Sequence, residues 1–412
     1  MIKESSSKNV VIIGSALSGN KGAAAMLESS IHTLTKKNDQ LKFTLLSMYP
    51  DEDRAQNTYK NLKILDARPL QLGVSINTLA LLYRITPFLR GWLYRSSQVV
   101  RALSEADVLL DQGGITFVDG REKFLLYNIA SILPALNMRV PVIKCAQALG
   151  TFNNPINKMM AKMFLPKMRV IVSRGDITQE YLNTLSLSNT IKGADYAFLL
   201  PNAKKEHDEA LAKYGHYIPK GEGELVGIAP SVVMKKKVDA SGLSYVDEIV
   251  KFIKYVNGKG YRVLIVPHSV RTGTDKTHNN DLPLCQDIYS QVESSMVGMV
   301  DRELSSQDLR YLIGESDYFL ASRFHAMVSS IAMGVPTLVL GWSHKYKEVL
   351  DMFGLSKWAF GHAQLNERYL QKRFDELVSE SSDVREAIRL NLPKVKRRSQ
   401  KQVDAIVEVL EG

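Results

Sequence analysis

Short β-branched apolar runs alternate with helical spacings along the first half of the chain, at 9–14, 41–47, 61–67, 107–114, 140–147 and 169–174. These runs are apolar throughout instead of alternating, the pattern of strands covered on both faces of a parallel sheet. A polar segment bracketed by proline and glycine, 201–223, then interrupts the pattern and is expected to be a linker. Beyond it the pattern restarts, with strands predicted at 225–231, 261–269, 296–300, 317–323 and 337–342 and helices near 244–256 and 305–313. The expected class is therefore α/β, with an N-terminal domain over 1–200, the linker, and a C-terminal domain over 224–412 that ends in a basic helix. Two open sheets facing each other make a cleft, and such sheets bind ligands outside the carboxyl ends of their strands.

Composition changes this picture little. A chain of 412 residues with 45% hydrophobic content can bury the cores of two or three domains. The two cysteines, Cys145 and Cys285, fall in different halves, so no disulfide framework or multi-cysteine zinc site is suggested and a reducing, cytoplasmic setting is expected. A short polar N-terminus leads straight into the first strand without a signal-peptide core, and no apolar run is long enough to span a bilayer. The net charge of +10 narrows more, favouring anionic partners without choosing among them.

Candidate chemistry follows from the strand ends. In "GSALSGNKGAAAML" Gly14, Gly19 and Gly22, with Asn20, form a polar turn before a helix, where backbone N–H groups can meet an anion. An ordinary strand-to-helix turn fits the same residues. Asp111, Gly113 and Gly114 repeat the arrangement after the 107–114 run, Gln147 follows a third strand and offers an amide to a hydroxylated ligand or a helix cap, and Arg174 ends a fourth. His268 follows the 261–269 strand with His278 ten residues on; no acid completes a hydrolase triad and no close histidine pair suits zinc.

The most informative turn is "ASRFHAMVSS". Ser322 ends a strand, and Arg323, Phe324 and His325 span the turn and first residues of a helix closed by Gly334. A planar guanidinium beside free helix N–H groups suits a carboxylate or phosphate. The alternative is an internal pair with Asp317 or Asp351.

Together with "GVPTLVLGWSHKYKEVLDMFGL", "SRGDIT", "GADYAFLLP" and "GNKGAAAML", this S-R-F-H turn resembles the polysaccharide pyruvyl transferase family, over about residues 9 to 356. The resemblance implies two Rossmann-like domains facing across a cleft, similar to the GT-B fold, and transfer of pyruvate from phosphoenolpyruvate to a sugar, usually as a cyclic ketal. It implies a phosphoenolpyruvate site built from Ser322, Arg323, Phe324 and His325 with Arg174 from the other domain. Transfer needs a proton at the methylene carbon, and His325 is the general-acid candidate. Gly19, Asn20, Asp111, Gly113, Gly114, Gln147 and His268 are assigned by location to the acceptor, Asp111 and His268 also as candidate bases. No metal-ligand cluster is visible, so no cofactor is expected beyond phosphoenolpyruvate as co-substrate, with a loosely held divalent ion left open.

Segment 76–103 mixes Leu, Phe, Trp and Tyr with Arg84, Arg90, Arg95 and Arg101. It reads either as a solvated helix pair broken at Pro87 or as a peripheral contact with the inner face of a membrane carrying a lipid-linked oligosaccharide acceptor. The basic run 394–402 lacks interleaved aromatics, so no nucleic-acid partner is expected. Two other functions stay open: a glycosyltransferase of the same architecture using a nucleotide sugar, and a non-catalytic membrane-associated scaffold in glycan assembly.

Overall fold

A computed structural model describes residues 7–271, 279–341 and 343–412. His278 lies outside the described residues. The chain divides into two compact units. The first comprises residues up to 18, 26–199 and 396–412, and the second 19–25 and 200–395.

The apolar runs of the first half become the strands of the first unit. They are β1 (Asn9–Ile13), β2 (Lys42–Ser47), β3 (Leu62–Asp66), β4 (Val108–Asp111), β5 (Ile115–Val118), β6 (Val142–Gly150), β7 (Val170–Ser173) and β8 (Thr190–Lys192). The order is β3-β2-β1-β4-β6-β7-β8, all pairs parallel, with β5 pairing on β6. Strand residues Val11, Ile13, Leu109, Val142 and Ile171 share one core with the helical residues Leu103, Ile132 and Leu182. Burial on both faces is why these runs carry no alternation.

The second unit repeats the plan. Its strands are β9 (Leu225–Ala229), β10 (Arg262–Ile265), β11 (Val297–Met299), β12 (Tyr318–Ala321), β13 (Thr337–Leu340) and β14 (Ala359–Phe360), in the order β11-β10-β9-β12-β13-β14 and wholly parallel. In each sheet the order reverses beside the first strand, between β1 and β4 and between β9 and β12. That is the position at which open α/β sheets hold ligands.

Two boundaries differ from expectation. Residues 201–223 are no bare linker: they contain the helix Lys204–Tyr214 and a 3₁₀ turn at Gly215–Tyr217. His207 meets Glu315 at 2.8 Å and stacks on Tyr311, and Tyr217 donates a hydrogen bond to Asp301 at 2.5 Å, so the segment is part of the second unit. The polarity that suggested a linker belongs to a helix with one small buried residue, Ala210. The long helix Ser381–Glu411 also returns to the first unit. Ser399 donates to the Asp195 carbonyl at 2.6 Å, and Gln402 bridges the Ala146 N–H and the Ala194 carbonyl, each at 3.1 Å. Its basic run is thus partly docked, with Arg398 on Asp176 at 2.5 Å.

Segment 76–103 forms a π-helical turn (Gln71–Ile76), the helix Asn77–Ile85, a break at Pro87 and the helices Arg90–Ser96 and Gln98–Ser104. No single described helix is long and apolar enough to cross a membrane.

Candidate active site

The strand ends of the second unit bring basic groups together. β12 runs through Ser322 into Arg323, which is the N-cap of the helix Phe324–Ala332. The Arg323 guanidinium does not meet Asp317 or Asp351. It grips Asp281, with Nε donating at 2.7 Å to Oδ2 and Nη2 at 2.5 Å to Oδ1. Asp317 instead accepts from the Leu225 N–H, and Asp351 pairs with Lys347. Asp281 is fully buried and also accepts from Val232 N–H at the start of the helix Val232–Asp239. Burial opposes the Arg323 charge, but the Asp281 carboxylate outweighs it and lifts the guanidinium above its ordinary value.

Ser322 and Phe324 are engaged within the protein. The Ser322 hydroxyl accepts from Tyr245 at 2.9 Å and its carbonyl from Tyr346 at 3.3 Å, while Phe324 is buried with its ring edge-on to His325 and Tyr346. Both shape the turn that aims Arg323 and His325.

Residues 19–25 of the N-terminal glycine turn join this group, while Gly14 stays in the first unit. Asn20 bridges Ser269, its side-chain oxygen accepts from Gly22 N–H at 3.0 Å, and Lys21 N–H donates to the His268 carbonyl at 3.2 Å. Asn20 therefore caps the helix Lys21–Thr35. A Cβ at position 22 would lie 1.9 Å from His325 Nδ1, so only glycine admits the imidazole against this helix start. Gly19, at φ +71°, donates its N–H to Glu303 at 2.7 Å, and the buried Lys21 ammonium meets the same carboxylate at 2.7 Å.

His268, expected on the acceptor side, sits at the end of β10 within this group and is 4% exposed. Burial pushes its pKa well below the ordinary 6.5, and His325, Arg323, Arg310 and Lys21 push it the same way. Arg310, buried on the helix Ser306–Gly314, donates weakly to Ser329 Oγ and the Leu200 carbonyl, each at 3.4 Å. Among the described residues this neighbourhood gathers five basic side chains around two carboxylates, Asp281 and Glu303. A field of that sign favours an anion.

The remaining expected residues lie in the first unit. Asp111, 1% exposed, holds the buried Lys144 ammonium and accepts from Gly113 N–H at 3.0 Å. Gln147 donates to the Asp111 carbonyl at 2.6 Å and accepts from Thr116 at 2.6 Å. Arg174, 1% exposed, has Nε 3.1 Å from Asp195 and donates through Nη2 to the Ala146 carbonyl at 3.3 Å. Gly114 lies against this guanidinium. The expected site residues thus divide: Gly19, Asn20, His268, Ser322, Arg323, Phe324 and His325 belong to one unit, and Asp111, Gly113, Gly114, Gln147 and Arg174 to the other. Lys21, Asp281, Glu303 and Arg310 were not singled out from the sequence. Lys21 lies within the quoted glycine turn and was the one legible signal.

Among the described residues no group of three or more His, Cys, Asp or Glu side chains is placed to hold a metal ion.

The two parallel sheets place the chain in the GT-B fold class. A UDP-GlcNAc 2-epimerase from Neisseria meningitidis superposes with TM-score 0.62 at 14% identity, covering 97% of this chain and all of that one. A ugt transferase from Siraitia grosvenorii gives 0.58 at 10% identity over 98% of this chain and 100% of that one. Residues 20–344 match the polysaccharide pyruvyl transferase family, and the chain belongs to it. It is also similar to the amylovoran biosynthesis protein AmsJ of Erwinia amylovora, 21% identical over 369 residues, covering 85% of this chain and 87% of that protein.

Proposed function

We propose that the chain transfers a pyruvyl group from phosphoenolpyruvate to a sugar of a polysaccharide repeat, closing it as a cyclic ketal. The observation that carries this is the set of cationic groups around the buried His268 at the ends of β10 and β12. Phosphoenolpyruvate offers a carboxylate and a phosphate on three carbons, which matches several cations in one small volume. Asp281 occupies Nε and Nη2 of Arg323, fixing the fork and leaving Nη1 to meet a substrate oxygen.

In the reaction, a proton goes to the methylene carbon and the carbon bearing the phosphate becomes electrophilic. One sugar hydroxyl adds there and loses its proton. Phosphate then leaves with the bonding pair, and a second hydroxyl of the same sugar adds to close the ketal and loses its proton. His325, beside the start of the helix Lys21–Thr35, is the proton donor. His268, held neutral by its surroundings, is suited to accept a hydroxyl proton. Membership of the pyruvyl transferase family and likeness to an amylovoran biosynthesis protein support a glycan acceptor.

The test is thermal stabilisation of the purified protein by phosphoenolpyruvate, with UDP-sugars as controls. Phosphoenolpyruvate at a hundred times its dissociation constant is expected to add about 2.7 kcal/mol, and Arg323→Lys to abolish most of that gain. A shift with UDP-sugars alone would replace this reading with a glycosyltransferase.

A further inference from the structure

We propose that the bent helical corner of the first unit is a docking surface for anionic lipid bilayers. The segments Gln71–Ile85 and Pro87–Ser96 meet at a bend of 117°. Phe88, at the corner, is 83% exposed, and Trp92, four residues on, is 58% exposed. Leu81 and Ile85, four residues apart on one face of the helix Asn77–Ile85, are exposed as well, as is Val74 in the preceding π-helical turn. A chain that buries these side chains nowhere in its own fold leaves them for an outside surface.

Charge selects that surface. From Ala67 to Ser104 there are five arginines and no acidic residue. Arg68 is paired with Asp51 and Asp66, but none of the described ion pairs involves Arg84, Arg90, Arg95 or Arg101. Arg84 and Arg90 bracket Phe88 in the chain. Arg90 lies over the Tyr83 ring at 5.3 Å, and Arg101 over Tyr94 at 5.1 Å, so cations and aromatic faces are presented together. A second copy of this chain seated on the same face would set these arginines against each other with no acid in the segment to relieve them. An anionic headgroup layer accepts the arginines while the acyl boundary takes Phe88 and Trp92. The sharp bend restricts contact to the interface and does not extend it through the bilayer. This inference does not depend on the reaction proposed above.

The experiment is co-sedimentation of the full chain with vesicles of phosphatidylcholine alone or with 30 mol% phosphatidylglycerol, a composition chosen as about one anionic lipid in three. Binding is expected on the anionic vesicles, falling as salt rises. Arg90→Gln with Arg95→Gln is expected to lower partition roughly twenty- to thirtyfold, at about fivefold per charge near the surface. Phe88→Ser with Trp92→Ser is expected to abolish binding while leaving the melting temperature unchanged, since both side chains are exposed. No binding to anionic vesicles, or binding indifferent to the Phe88 and Trp92 changes, overturns the proposal. Concentration-dependent dimerisation lost in the Phe88 and Trp92 variant also overturns it, by giving the face to a second copy.

Discussion

At the strand ends of the first sheet, buried basic groups are paired one to one: Lys144 with Asp111 at the end of β4, and Arg174 with Asp195 beyond β7. At the switch point of the second sheet, Arg323 meets Asp281 and Lys21 meets Glu303, and both act on the buried His268 together with Arg310 and His325. One strand order therefore supports two electrostatic outcomes. Separate buried pairs hold a turn in shape, whereas several basic groups gathered at one strand end make a field that favours an anion. Under the proposed function the second unit would hold phosphoenolpyruvate, and the buried Lys144–Asp111 pair of the first would serve as scaffold.

The largest expected effect tests the chemical half of the contrast. His325→Gln should lower turnover about 10²–10⁴-fold with little change in melting temperature, read in a coupled assay of phosphate release. Turnover near the parent value would remove His325 from the proton transfer. Lys144→Met tests the scaffolding half. It strands the Asp111 carboxylate and should cost about 3–5 kcal/mol of unfolding free energy in urea, most of it recovered when Asp111→Asn is added. Lost turnover without lost stability would bring the first switch point into the chemistry and break the contrast.

Sequence patterning reached the sheets because parallel strands buried on both faces read as uniform apolar runs. It missed β5, β8 and β14: β8 carries Thr190 and Lys192 on a partly exposed edge, and β14 has two residues, too few for any period. Arg323 and His325 were legible as basic residues at a strand-to-helix turn, where a buried cation needs an anion; the anion that meets Arg323 is the internal Asp281. Their surroundings were not. Asp281 lies 42 residues before Arg323, and sequence distance does not record a contact made by two loops of one sheet edge. His268 and Asn20 were legible as strand-end residues; that Asn20 sits in the second unit was not, since the fifteen-residue helix it precedes begins in that unit and continues in the first.

Gly22→Ala probes how tightly the donor side is built. The added Cβ would collide with His325 at Cβ, Cγ and Nδ1, so the imidazole cannot yield by moving its tip alone. A stability loss of about 1–3 kcal/mol is expected, with a fall in turnover that tracks displacement of the ring. Unchanged turnover would mean that the position of His325 against this helix is immaterial.

The smallest effect, and the sharpest for the electrostatic contrast, concerns the pH dependence of His268. Its folded pKa is depressed, so as pH falls below about 6.5 the unfolded chain takes up a proton that the native chain refuses. Stability should be level above that pH and decline below it, at most by about 1.4 kcal/mol per pH unit, until the folded pKa is reached. His268→Asn should flatten this part of the profile in urea titrations at pH 5 to 7, a window set by the ordinary histidine pKa of about 6.5. An anion bound among the same cations would oppose the depression and raise the His268 pKa. Phosphoenolpyruvate binding should then take up protons and tighten as pH falls toward 6, which calorimetry in buffers of different ionisation enthalpy can detect. Proton uptake in the parent that disappears in His268→Asn would locate the anion beside His268; equal uptake in both would place the linked group elsewhere and leave the cationic neighbourhood without its proposed ligand.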